Sequence, residues 1–182
     1  MYSLFLGVCA NLLLLRYVNL PVRAKTGIDF ERIVVMKKDF EILPHTADIK
    51  IKVYGKTLEE LFCNAVIGMF QAIVPKIPGC ITKHGRVVCD NFPERRTIHI
   101  ETVDIEALLV DFLSEALYLS DVNDEAYLWV EISDLSHTKI DATLYGKKVD
   151  GFEVVEIKAV TYHEMEVKNV DGVWQTNIVF DI

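Results

Sequence analysis

The segment Pro44-His45-Thr46-Ala47-Asp48 puts an imidazole, a hydroxyl and a carboxylate directly ahead of "DIKIKVY" (residues 48–54), where apolar and polar residues alternate strictly. Neither helical nor strand periodicity asks for that combination. At the mouth of a strand, the Asp48 carboxylate would be anchored by a sheet and still reach solvent. The last residues repeat the chemistry: Asp181 is penultimate and Ile182 carries the terminal carboxylate. If the final strand pairs beside the Asp48 strand, Asp48, Asp181 and the main-chain or terminal oxygens of Ile182 could converge into an all-oxygen site. Such a site suits a hard divalent cation, Ca²⁺ or Mg²⁺, because neither thiolate nor imidazole dominates the donor set. Spacing alone leaves the plainer alternative open, in which Asp48 caps a turn and Asp181 is a solvated end residue.

A second constellation lies in "EIKAVTYH" (residues 156–163). Strand alternation sets Lys158 and Val160 on one face and Ile157, Ala159, Thr161 and His163 on the other. Lys158, Thr161 and His163 could bind phosphate or form a docking edge, or be ordinary solvated side chains of an exposed strand. His84, His99 and His137 stand alone in strand or turn contexts and are expected to be structural. The aromatic residues follow helix or strand periods, which core packing explains without a base-stacking platform.

What must position these groups can be read from the pattern around them. Ile49, Ile51 and Val53 face one way along the alternating segment, so it is a half-buried strand. Thr57 followed by Glu60 forms a capping box. Leu58, Leu61, Phe62, Ala65, Val66, Met69, Phe70 and Ile73 then recur at helical spacing until Pro75. Two strands, in "CITKHGRVVC" and "RTIHIET", precede a second amphipathic helix that starts near Asp104 and ends around "SDVND". From Ala126 onward the chain reads as strands throughout, with Asp171-Gly172 as a type I′ hairpin turn. The expected fold class is α+β: two amphipathic helices packed on a mostly antiparallel sheet, with no regular βα alternation.

The bulk numbers narrow the function. A chain of 182 residues, 51% hydrophobic and 25% charged, is long enough for one sizeable core. A formal net charge of −8 makes the average surface repel phosphate backbones, so no tight direct nucleic-acid binding is expected and any role with RNA would go through a partner. Cys9, Cys63, Cys80 and Cys89 have neither CxxC spacing nor the density of a disulfide scaffold, and reduced thiols in a cytoplasmic protein are the expectation. Residues 2–15 form an apolar run, too short for a comfortable membrane span and lacking a basic residue ahead of it. Met36 opens "MKKDFEILPHTAD" like a natural start. Residues 1–35 are therefore taken as a leader or mis-called start and residues 36–182 as a single domain, with no membrane role for that domain. No dinucleotide fingerprint, P-loop, nucleophile elbow or HExxH is present.

Taken together and in order, "PHTADIKIKVYGKTLEELFCNAVIGMF", "EALLVDFLSEALYL", "IKAVTYH" and "NIVFDI" resemble the archease family, over residues 40–182. The resemblance implies an archease-like α+β fold and a non-enzymatic protein cofactor of the tRNA-splicing RNA ligase, promoting guanylylation of the ligase and its multiple turnover in tRNA splicing and RNA repair. It implies that Asp48, Asp181 and Ile182 bind the metal, with His45 and Thr46 shaping the turn that presents Asp48. It gives Lys158, Thr161 and His163 a role in partner docking or site support. Two other functions compete. One is a chaperone or specificity modulator of a tRNA methyltransferase, a role also suggested for the family. The other, a free-standing metal-dependent phosphoesterase, needs more ligands and a water-activating base than the sequence gathers.

Overall fold

A computed structural model describes residues 39–182. The expectations for residues 1–35, for Cys9 and for the start at Met36 lie outside the described residues.

Strand β1 (Phe40–Leu43) and strand β2 (Ile49–Gly55) form an antiparallel hairpin whose connection is the PHTAD segment. Ile51 and Val53 are fully buried while Lys50, Lys52 and Tyr54 lie on the other face, as the alternation requires. Strand β10 (Val173–Asp181) pairs antiparallel with the free side of β2. Two short strands, β8 (Ala159–Thr161) and β9 (Lys168–Val170), share the far side of β10. Asp171 and Gly172 join β9 to β10 with φ of 52° and 82°, both positive as a type I′ turn demands. A second antiparallel sheet takes the order β5 (Glu94–Glu101), β7 (Lys139–Lys148), β6 (Glu125–Leu135).

Helix α1 (Leu58–Ile73) begins where the Thr57 hydroxyl accepts a hydrogen bond from the Glu60 amide at 3.2 Å. The Glu60 carboxylate accepts from the Lys56 amide at 2.6 Å, closing the capping box one residue further out. The helix ends in a left-handed residue, Val74, just before Pro75. α1 packs against β2 of one sheet and β6 of the other, which explains why it is buried on nearly all sides. Phe62 stacks near Phe112 of helix α2 (Ile105–Asn123) with centroids 6.0 Å apart, and Phe70 meets Tyr127 of β6 edge-on at 5.6 Å. Asp104 caps α2 by accepting from the Ala107 amide at 2.8 Å. The fold is α+β, two helices with mostly antiparallel sheets. No described helix is long and apolar enough to cross a membrane.

Two expectations are corrected. The chain beyond Ala126 is not strand throughout: residues 149–158 run irregularly, and β8 keeps only three residues of "EIKAVTYH". The irregular stretch is tied instead to the chain at the end of α1, through Lys76 amide to Gly151 carbonyl at 2.9 Å and Glu153 amide to Val74 carbonyl at 3.0 Å. Ile157 is consequently buried ahead of the strand rather than sharing a face with Ala159 and Thr161. The cysteines are not all reduced either. Strands β3 (Ile81–Lys83) and β4 (Arg86–Val88) form a hairpin in which Ile81 faces Val88, and one step outward Cys80 and Cys89 are joined in a disulfide. Cross-strand opposition made this pairing, which linear spacing did not reveal. Cys63 is buried and not disulfide-bonded.

Candidate metal centre

The antiparallel register of β2 and β10 pairs Val179 with Lys50 and Phe180 with Ile49. The pairing stops there: Asp48 lies in the bend just before Ile49, and Asp181 follows Phe180 as the last residue of β10. Both residues therefore belong to the same sheet end, where β2 begins and β10 finishes.

Each is held from its own side. His45 Nδ1 stands 3.5 Å from Asp48 Oδ2, across the turn between β1 and β2. The main-chain carbonyl of Asp181 accepts from the Lys158 amide at 2.8 Å, and Asp181 pairs with Ala159 of β8. The Thr161 hydroxyl donates to the Val179 carbonyl at 3.1 Å and accepts from the His163 amide at 3.3 Å, turning the chain after β8. His163 Nε2 lies 3.5 Å from Glu164 Oε1, and the other Glu164 oxygen pairs with the Lys50 ammonium. The hydrogen bond from Lys50 holds the Glu164 carboxyl below the ordinary carboxylate value, against the effect of burial, with the charges of Lys50, His163 and His45 acting in the same direction as the bond.

The sheet end therefore gathers His45, Asp48, Thr161, His163 and Asp181 from the set read in the sequence. Lys158 contributes through its main chain, its side chain being exposed. Thr46 lies in the connecting turn and is exposed. Lys50 and Glu164 are additions. Lys50 was legible as lying on the Asp48 face; nothing in the sequence marked Glu164 beyond its place next to His163. His99, expected to be only structural, lies against Asp141 and stands 3.8 Å from Glu101 on the exposed face of the second sheet.

Two carboxylates on adjacent strands, with the oxygens of Ile182 next in line, make an oxygen-only donor set that fits a hard cation. Among the described residues, no three or more His, Cys, Asp or Glu side chains are grouped so as to hold a metal ion. A cation at this end would need main-chain or terminal oxygens and water to complete its shell. Asp181 and Ile182 are exposed, so those positions are open to solvent.

Residues 40–182 match the family model described as "Archease protein family (MTH1598/TM1083)". The chain belongs to the archease family. It is 39% identical over 156 residues to the protein archease of Methanosarcina barkeri, a match covering 80% of this chain and 97% of the relative. With the protein archease of Pyrococcus abyssi it shares 34% identity over 153 residues, 80% of this chain and 99% of that one. Protein 1598 of Methanobacterium thermoautotrophicum, solved in solution, superposes with a TM-score of 0.58 at 27% identity over 79% of this chain and 99% of its own. A Thermotoga maritima crystal structure described as "an archease, possible chaperone" has the same fold, with a TM-score of 0.52 at 22% identity over 77% of this chain and 94% of its own. The β2–β10 register lies wholly inside the part matching the archease model.

Proposed function

We propose that this archease-family protein is a non-enzymatic cofactor of the tRNA-splicing RNA ligase, acting in the cytoplasm through a divalent cation held by Asp48, Asp181 and the oxygens of Ile182. The supporting observation is the β2–β10 register, whose pair Phe180–Ile49 puts the neighbouring residues Asp181 and Asp48 at one sheet end. When bound, the cation supplies positive charge that can neutralise a nucleoside triphosphate during ligase guanylylation. Everything else belongs to the chain. Asp48 is oriented by His45, and Asp181 is fixed by the Lys158 amide on its carbonyl. Lys50 and Glu164 neutralise each other beside the site and tie β2 to the turn after β8. Lys158 and His163 are exposed on either side of β8, where a docked partner would meet them. The net charge of −8 favours a basic RNA-handling protein surface and disfavours RNA itself.

The test mixes the chain with the RNA-splicing ligase of its source organism, GTP and Ca²⁺, Mg²⁺ or Mn²⁺, and follows ligase guanylylation and multiple-turnover RNA joining. Stimulation that is lost in Asp48→Ala supports both the partner and the site. A well-folded protein that stimulates nothing under any of these metals refutes the activator reading. The description of the Thermotoga protein as a possible chaperone favours a second reading, a chaperone or specificity modulator of a tRNA methyltransferase. Co-purification with a methyltransferase whose product profile changes on addition of the chain would establish it.

A further inference from the structure

The Cys80–Cys89 disulfide joins two elements that are already neighbours. It closes only the β3–β4 hairpin, across a sequence separation of 9, and links no otherwise distant parts of the chain. A cross-link over so short a loop constrains little beyond that loop. The hairpin itself has three residues in each strand, and isolated two-stranded hairpins are marginal in water. Its two strands are attached to the molecule very unequally. β4 is held firmly: the buried Gln71 side chain donates to the Val87 carbonyl and accepts from the Val87 amide, both at 2.8 Å. Arg86 stands 3.4 Å from Asp39 and lies over the Phe40 ring, and Val87 and Cys89 are buried. β3 by contrast is exposed at Ile81, Thr82 and Lys83, and Ile81 leaves 64% of its surface in solvent. Cys80 itself is partly exposed and lines a surface cavity of about 250 Å³ together with Ile77, Pro78 and Lys76.

We propose that Cys80 and Cys89 form a reversible thiol–disulfide site that low-molecular-weight thiols of the glutathione class reduce and re-form, and that its state decides whether β3 stays on β4. Attack comes at Cys80, the partly exposed member of the pair and a residue that lines the cavity, while Cys89 is only 3% exposed. The first glutathione thiolate forms a mixed disulfide with Cys80 and expels the Cys89 thiolate. A second glutathione thiolate attacks the glutathione sulfur of that mixed disulfide, releasing oxidised glutathione and the Cys80 thiolate. Two glutathione thiols thus give up two electrons, the protein disulfide gains them, and the Cys80 and Cys89 thiolates take up the two protons that the glutathione thiols released on ionising. Reduction leaves β4 docked through Gln71 and Arg86 and lets β3 open.

The experiment takes the full 182-residue chain through stepped mixtures of reduced and oxidised glutathione, alkylates free thiols, and maps all four cysteines by peptide mass. Each state is also cut with trypsin, followed at Lys83 and Arg86. Cys80 and Cys89 should change together, with the fraction reduced following the square of reduced glutathione over oxidised, while the buried Cys63 stays unmodified. Cleavage after Lys83 should rise roughly 10- to 100-fold on reduction, the range expected if the cross-link's loop-closure term sets the open population. The Cys80→Ala/Cys89→Ala variant should cut at the reduced rate whatever the glutathione ratio, with an unchanged main melting transition. The proposal fails if Cys80 or Cys89 pairs with Cys9 instead, if the pair stays oxidised under fully reducing glutathione, or if Lys83 is cut equally fast in both states.

Discussion

Changing Asp48 to asparagine separates a ligand from a structural residue. The Asp48 side chain is 31% exposed, and its ion-pair neighbour is His45 at 3.5 Å. A pair that open to water contributes less than about 1 kcal/mol, and asparagine keeps the shape. With an unfolding entropy near 2.1 cal/mol/K per residue over the described domain, 1 kcal/mol corresponds to roughly 3 °C. In EDTA the variant should therefore melt within about 3 °C of the parent. Calcium changes the comparison. A cation that binds only the folded chain and is present at about 100 times its Kd adds about 2.7 kcal/mol, or about 9 °C. If asparagine weakens binding ~100-fold, the same calcium adds only about 0.4 kcal/mol, roughly 1 °C. The assay is a thermal melt of each protein with and without calcium, backed by calorimetric titration. Asp181→Asn should behave alike, and the double variant should lose little more than either single, because both remove the same site. Equal calcium-induced rises in parent and variant would refute the placement of the cation. A drop of about 10 °C in EDTA would show instead that Asp48 supports the fold.

Glu125 is fully buried and accepts from Arg96 at 2.6 Å and Tyr127 at 2.8 Å, with Lys148 at 3.1 Å. Glu125→Ala removes the acceptor of these bonds and leaves the buried Tyr127 hydroxyl without its partner, which should cost about 1–3 kcal/mol in urea unfolding. Burial pushes the Glu125 carboxyl up, but the hydrogen bonds from Tyr127, Lys148 and Arg96 win and hold it below the ordinary 4.5. Its contribution is therefore present above about pH 4.5 and is lost as pH falls through the depressed value, and Glu125→Ala should lack that part of the acid limb. Burial, then the hydrogen bond to Glu41, pushes the Tyr54 hydroxyl from 10.0 up to about 12. Stability from this group is complete below pH 10 and declines between pH 10 and about 12; denaturant titrations of Tyr54→Phe should show a flatter alkaline limb. Gly146 sits opposite Tyr127, and a Cβ there would come 2.2 Å from the Ala126 carbonyl oxygen. Gly146→Ala should cost about 1–3 kcal/mol in the same urea assay, since backbone rather than a mobile side-chain tip must shift.

The parts of this molecule legible from sequence are those with a repeat period or a local chemical rule. The face of β2 followed from strict alternation, both helix starts from Thr57 and Asp104, and the β9–β10 turn from Asp171-Gly172. Residues 154–158 looked like strand because Val154, Val155 and Ile157 are β-branched. Propensity does not see the hydrogen bonds from Glu153 to Val74 and from Val154 to Ile73 that tie its start to the end of α1. The Cys80–Cys89 pair was hidden for a similar reason: its cause is the register of a hairpin, and register is set by the turn, His84-Gly85, whose φ values are 51° and 74°. At the candidate site, Asp48 and Asp181 stood out as carboxylates at strand ends. Glu164 did not, because its left-handed backbone, with φ of 58°, reverses the chain after β8 and returns its carboxylate toward Lys50 in a way no spacing rule encodes.

The same topology fixes when the site can exist. Asp48 and Asp181 come from the first and last parts of the domain, and β10 joins them by inserting between β2 and β8. Closing that long chain segment is costly before the contacts it creates can repay the entropy. Neither Asp48 on the β1–β2 hairpin nor Asp181 on an unpaired tail has a neighbouring carboxylate of the pair until β10 docks. In the proposed metal site, cation affinity would thus be tied to complete assembly of the sheet. A cation that binds there stabilises the docked β10 in return, by the same free energy that docking contributes to binding. Calcium should consequently slow amide exchange along β10 and the facing residues of β2 more than in the β5–β7–β6 sheet, where it has no ligand. Uniform protection across both sheets would mean that binding stabilises the molecule only globally, and equal exchange with and without calcium would remove the link between the last strand and the site.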